Sequence, residues 1–445
     1  MDKNIREKDI SVVGLGKLGA CYAAFCAERG FEVTGFDIDG SKVDAINRGE
    51  APVVEPELAE LIKKYGSHLT ATHTIDDLIT QSDITLLVVP TPSNADGTFS
   101  TSYVEDVMHM LGQALKRKDT YHLFVLVSTV LPGDSRTKIL PVLEQASGKT
   151  CGVDFGYCYS PSLIALGNII NNLRNPDFLF LGAYDDVSGD ILSEVFTTLY
   201  GEDDASQKIK RMSIESAEIA KISLNSYVTM KITFANMLGR ICERMPNANV
   251  DDVTGAIGQD SRIGSRFFRS GLGYGGPCFP RDNFAFASMA KALGIETPLA
   301  LKTHEFNNTI PGTVVAAIHD EVRDIESPII GILSLGYKTG TPYAEESQSL
   351  VIAKELSSKY RTLAFDAHGY EDSRGRLGDV IEYLPDMKSC LEQSNVLFIG
   401  NPEKDFLQLP QLLSSGDTKI IIDPWGLFTQ KDFGSRARYV PLGRR

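Results

Sequence analysis

The chain of 445 residues contains no apolar run of the roughly 18 residues needed to cross a bilayer, which excludes a membrane-spanning helix. It also lacks an excess of basic side chains. Lys and Arg number 44 against 58 Asp and Glu, a formal net charge of −14. A chain so acidic has no broad positive face for nucleic-acid phosphates, and any anionic ligand must be held by local basic residues. Cysteine is sparse and unpatterned: the seven, at positions 21, 26, 151, 158, 242, 278 and 390, form no CxxC pair and no Cys/His cluster with metal-ligand spacing. Reduced thiols and no bound metal are therefore expected. Residues 1–9 are charged and lead into a strand without the apolar core of a signal peptide, so a cytoplasmic protein with neither membrane nor nucleic acid as partner is expected.

The length exceeds what one ordinary core organises, and two or three domains follow. The clearest local pattern lies near the start. Residues 9–13 read as a buried strand, Gly14-Leu-Gly-Lys-Leu-Gly19 follows at once, 20–29 is helical in pattern, Gly30 caps it, and 31–36 is a second strand ending in Asp37. In such a βαβ unit Gly14 makes the tight turn, Gly16 lets backbone approach a pyrophosphate, and Gly19 lets helix and strand pack closely. The helix N-terminus attracts the phosphates. Asp37, 23 residues after Gly14, can accept both ribose hydroxyls and repels a 2′-phosphate, favouring NAD over NADP. Further strands are predicted at 84–89, 123–127 and 155–159, two of them running into Pro90-Thr-Pro92 and Ser128-Thr-Val130. Loops at the carboxyl ends of parallel strands are where ligands sit in doubly wound sheets.

Residues 213–244 carry a long helical pattern without proline. At about 1.5 Å per residue it reaches nearly 50 Å, the length of a helix that joins domains or supports a dimer. Lys221 and Asn225 share one face of it at i, i+4. An inward lysine can stabilise an oxyanion and an asparagine can orient it; a solvated surface lysine is the competing reading. After the glycine-rich stretch 271–277 comes Cys278, followed by what looks like a helix start. A thiol at a helix N-terminus beside Arg281 suits a nucleophile, with Asp282 one turn away; a buried structural cysteine is the alternative. A second α/β unit begins near Ser327, with strands at 329–335, 363–367, 396–400 and 420–423 and a helix at 345–358. The expected fold class is α/β, two Rossmann-like parallel-sheet domains (1–205 and 321–445) joined by a helical middle (206–320) with one long helix.

Taken together, the stretches 14–19, 90–92, 128–130, 217–225, 260–264 and 273–282 resemble the UDP-glucose/GDP-mannose dehydrogenase family, in the family's order and along nearly the whole chain. The resemblance implies a four-electron, NAD-dependent oxidation of a nucleotide-sugar C6 alcohol to a uronate, on a UDP-hexose or UDP-N-acetylhexosamine type of substrate. It makes Cys278 the nucleophile that forms a thiohemiacetal and then a thioester, and Lys221 the oxyanion stabiliser. Asn225 orients the sugar, and Asp282 with Thr129 holds the hydrolytic water. Lys42 joins Asp37 at the adenosine ribose, while Leu18, Val89, Thr91, Pro92 and Val130 belong to the rest of the cofactor site. Ser162, Leu163, Phe267, Arg269, Tyr274, Gly275 and Lys338 fall at substrate-binding positions. Arg262 matches an arginine that reaches the neighbouring subunit's nucleotide, which implies a homodimer or larger homo-oligomer.

The resemblance breaks in four places. Ser162 stands where a glutamate base is usual, and a serine accepts no proton usefully near neutral pH. Leu166 stands where a second glutamate is frequent. Glu345 replaces an arginine, and Trp425 in Asp423-Pro-Trp-Gly426 stands near the place of a nucleotide-binding arginine. Trp425 either stacks on a base or is structural. These departures leave an alternative: a relative with impaired thioester hydrolysis that yields an aldehyde, an acyl-transfer product or an epimer, or a non-catalytic nucleotide-sugar binder.

Overall fold

The computed structural model describes residues 5–164, 167–414 and 419–444; Leu166 lies outside the described residues. The chain divides into two compact units, Met1–Ser223 and Leu224–Arg445.

The first unit is built on eight strands: β1 Ile10–Val13, β2 Val33–Phe36, β3 Leu69–Thr72, β4 Ile84–Leu87, β5 Leu123–Leu126, β6 Gly156–Tyr159, β7 Leu179–Ala183 and β8 Ile209–Ser213. Their order is β3-β2-β1-β4-β5-β6-β7-β8. Every neighbouring pair is parallel except β6 and β7, where Cys158 faces Ala183 in antiparallel register. β1, β4, β5 and β6 are buried along their whole length, as expected for strands covered by helices on both faces. The two-residue repeat of a strand then divides β1 between two cores. Ile10 and Val12 pack with Phe25 and Leu58 on one face, Val13 with Phe124 and Tyr157 on the other.

The first helix opens at Lys17, three residues earlier than the pattern suggests, with Gly16 as its N-cap. The glycine motif is thus partly helix, because Gly16 needs only extended backbone to start it. At the other end Gly30 adopts φ +89°, the left-handed helix stop expected of it. The long helix runs from Ile214 to Cys242.

In the second unit helices Val250–Gly258, Phe279–Ala292, Pro298–Asn307 and Ile310–Glu321 precede six strands. These are β9 Ile329–Leu333, β10 Arg361–Phe365, β11 Glu382–Tyr383, β12 Val396–Ile399, β13 Lys419–Asp423 and β14 Ala437–Pro441. The order β11-β10-β9-β12-β13-β14 is parallel throughout, and it extends the four expected strands by two at the edges. Among the described residues no helix is long and apolar enough to cross a membrane, and no group of three or more His, Cys, Asp or Glu could hold a metal ion.

Candidate functional site

The turn after β1 has the shape its glycines predict. Gly14 sits at φ +94°, and a Cβ on it would run into the carbonyl oxygen of Val88. A Cβ on Gly19 would strike the carbonyl of Gly14, whereas nothing lies within 4 Å of the Cβ position of Gly16. Two glycines are therefore closed by packing and one faces open space at a helix N-terminus, which is what a pyrophosphate needs. Leu18, the second residue of this helix, is half-buried and packs against the core behind the turn. Asp37 accepts from the N–H groups of Leu15 (2.7 Å) and Asp39 (2.9 Å) and pairs with Lys42 at 3.1 Å. The acid and its predicted basic companion are together at the end of β2. The residues present fit a dinucleotide.

The loops after β4 and β5 are tied to each other. Ser128 Oγ accepts from Val89 N–H at 3.0 Å and donates to Val89 O at 2.7 Å, while Thr91 Oγ1 donates to Thr129 O at 2.7 Å. Val130 is fully buried and Val89 packs against the same core, with exposed Pro92 just beyond. Lys221 is buried, so it is not a solvated surface lysine. Ser162 and Leu163 are half-buried in the segment after β6, with the Ser162 hydroxyl near the phenol of Tyr22, which burial pushes up to about 12. No carboxylate stands at position 162 itself. Glu55 instead reaches the backbone of the same segment, accepting from Gly167 N–H (3.3 Å) and Ile169 N–H (3.0 Å).

In the second unit Cys278 is the N-cap of helix Phe279–Ala292, with Pro280 in its first turn. It is the exposed cysteine; the other six are buried. Burial pushes the thiols of Cys21, Cys26, Cys151 and Cys390 up to about 12, which makes them inert. Asp282, 1% exposed, donates its backbone N–H to Cys278 O at 2.8 Å. Its carboxylate accepts from Asn225 Nδ2 at 2.6 Å, with Arg281 Nε 3.4 Å from its other oxygen. The cysteine, the acid and the asparagine predicted from sequence thus converge at one helix start. Tyr337 lies beside them: a Cβ on Gly276 would meet its ring, and burial, with Cys278 adding, pushes its phenol up to about 12. Lys338 stands over that ring at 5.8 Å.

The glycine-rich loop before Cys278 is held by three buried amides that sequence reading missed. Asn236 accepts from Gly271 N–H (2.9 Å) and donates to Leu272 O (3.2 Å). Gln348 accepts from Gly273 N–H at 2.6 Å, and Asn307 exchanges two hydrogen bonds with the backbone of Tyr274. Gly276 N–H reaches Glu345 O at 2.9 Å. Gly275 is pressed against the carbonyl of Glu346. Each amide uses both its donor and its acceptor on peptide groups, so the loop is shaped before any ligand arrives. The only local signal was a polar residue inside an apolar helical pattern, as at Asn236.

Arg262, with an 85% exposed side chain, pairs only locally with Asp260. Phe267 is exposed at φ +59°, an uncommon conformation for a bulky residue. Arg269 donates to Trp425 O at 2.6 Å. Trp425 donates its indole N–H to Gly400 O at 3.2 Å, and its ring fills the place a Cβ on Gly271 would need, so its role here is structural. Glu345 lies in a turn, since the helix expected at 345–358 opens only at Gln348, and its charge reversal is answered by Arg376 of helix Glu371–Leu377 at 3.8 Å.

Residues 8–200 match the family model described as UDP-glucose/GDP-mannose dehydrogenase family, NAD binding domain, and residues 215–309 match that family's central domain. The chain is 32% identical over 426 residues to UDP-glucose 6-dehydrogenase AglM of Haloferax volcanii, covering 95% of this chain and 98% of the relative. It is 34% identical over 435 residues to GDP-mannose 6-dehydrogenase of Pseudomonas savastanoi pv. phaseolicola, covering 94% and 96%. Its structure superimposes on that of a UDP-glucose dehydrogenase from Pyrobaculum islandicum with a TM-score of 0.88 at 25% identity, covering 100% of both chains.

Proposed function

Because the chain belongs to the UDP-glucose/GDP-mannose dehydrogenase family, we propose that it oxidises the C6 alcohol of a nucleotide-activated hexose to a carboxylate through a covalent intermediate on Cys278. Gly14, Gly16, Gly19, Asp37 and Lys42 would hold NAD, which would supply hydride acceptance at C6, one molecule for each of the two oxidations. Cys278 adds its sulfur to the C6 aldehyde, giving a thiohemiacetal that the second oxidation converts to a thioester. Water then adds its oxygen to C6, the C6–S bond breaks, and Cys278 leaves as thiolate. Lys221 stabilises the developing oxyanion, Asn225 orients the sugar, and Asp282 with Thr129 holds the water. The observation that carries this reading is the arrangement at one helix start: an exposed thiol at the N-cap, a buried carboxylate one turn on, and an asparagine 2.6 Å from that carboxylate.

A homodimer is part of the same proposal. Tyr227, Phe234 and Ile241 are about half exposed at seven-residue intervals along the long helix, an apolar stripe of the kind that packs against a second helix. The exposed guanidinium of Arg262 supports a role at a neighbouring subunit.

Cys278→Ser tests the covalent step. The variant should lose net oxidation to the carboxylate by about a thousandfold or more, measured as NADH formation with a UDP- or GDP-hexose. Turnover at the wild-type rate would sink the covalent mechanism. Ser162→Glu tests the hydrolytic step, and faster product release is expected where hydrolysis limits the rate.

A further inference from the structure

Glu218 is fully buried in the second turn of helix Ile214–Cys242, a place where a carboxylate is costly to desolvate. Its oxygens accept from Gly133 N–H at 2.6 Å and Ser135 N–H at 3.1 Å. Ser135 in turn accepts from the Tyr157 hydroxyl at 3.0 Å. These two N–H groups open the helical turns that follow β5, and a side chain from a distant helix satisfies them in place of a local cap. Burial, with nearby Asp134 adding, raises the Glu218 carboxyl above its ordinary value, so the site is bought at some electrostatic cost. About one turn earlier on the same helix face, Glu215 pairs with Arg136.

Gly133 lies four residues after Thr129, and Glu218 lies three before Lys221, on the same side of the helix. We propose that Glu218 is a positioning residue, which sets the loop carrying Thr129 and Val130 in register with the helix carrying Lys221. The inference rests on the reading of Thr129 as a holder of the hydrolytic water. Its other side-chain tethers, Ser128 to Val89 and Thr91 to Thr129 O, fix it to the neighbouring loop after β4 and not to the helix.

The test is Glu218→Gln in the full chain. The amide keeps the volume and one acceptor but turns its NH2 toward the second N–H, so one tether is lost. Steady turnover should fall about thirtyfold, as a small misplacement of a water-holding group predicts. The initial NADH burst should stay at two per active site, with the acyl-sugar mass accumulating on Cys278. Thr129→Ala should behave alike, and the double variant should be no slower than the slower single one. Should the glutamine variant not fold, Glu218→Asp keeps the charge but is one methylene too short to reach both N–H groups, and the same burst is expected. A burst amplitude that falls with the rate, or losses that multiply in the double variant, would overturn the inference alone. Wild-type turnover in Thr129→Ala would overturn the reading beneath it as well.

Discussion

Each of the two sheets ends its second strand in an aspartate that accepts backbone N–H groups from the turn after its first strand. Asp37, after β2, takes Leu15 at 2.7 Å and Asp39 at 2.9 Å. Asp366, after β10, takes Leu335 at 2.7 Å, Gly336 at 3.2 Å and His368 at 2.9 Å. The turns themselves part company. In the first, Gly14 at φ +94° leads straight into a helix that opens at Lys17. In the second, Ser334 at φ +73° stands in the corresponding place, and the helix opens only at Gln348. The first helix N-terminus is left facing open space at Gly16, while the second spends Gln348 on the loop that precedes Cys278. An acid at the end of the second strand therefore serves the scaffold in both sheets and does not by itself mark a dinucleotide site. What makes a dinucleotide site is the immediate helix start after a glycine turn.

The comparison can be broken from either side. The largest effect is expected for Gly14→Ser, which imposes both a left-handed side chain and a clash with Val88 O. It should cost about 3 kcal/mol or more of stability and abolish NADH binding, read by thermal melting and fluorescence titration; wild-type NADH affinity would refute the tight-turn account. Asp366→Ala strands three N–H groups and should cost about 3 kcal/mol with NADH affinity unchanged. A weakened NADH affinity there would mean that the two acids are not separate in function. Asp37→Asn should weaken NADH binding by about tenfold and narrow its preference over NADPH, measured as the ratio of the two dissociation constants. Ser334→Gly is the smallest: relief of about 1 kcal/mol of backbone strain is set against the loss of the bond from Asn401 Nδ2, 3.1 Å. Its melting temperature should stay within a few degrees of wild type.

Much of the first unit was legible because its signals are local. The strand, the glycine turn, the helix and Asp37 lie within 30 residues; in the second unit Cys278 is marked as locally, by the glycines before it and the helix start after it. The reversal at β7 was not legible, since the antiparallel pairing of Cys158 with Ala183 depends on contacts far apart in sequence. The same holds for β11 and β14, short or half-polar strands whose partners lie elsewhere. Asn307 and Gln348 could not be read as loop holders, because nothing near them in sequence says which backbone they meet. Asp366 was in plain view after 363–365, and its likeness to Asp37 went unread for want of a glycine turn upstream. The partner of Glu345 was not legible either, because Arg376 lies 31 residues on and only the fold brings it near.

The measurement that bears most directly on the central claim is the number of NADH formed per sugar consumed, with UDP-glucose, a UDP-N-acetylhexosamine and GDP-mannose offered in turn. The account predicts two NADH for the accepted sugar, and a product that has gained one oxygen and lost two hydrogens at C6. One NADH per sugar with release of an aldehyde, or no NADH with any of the three, would contradict it.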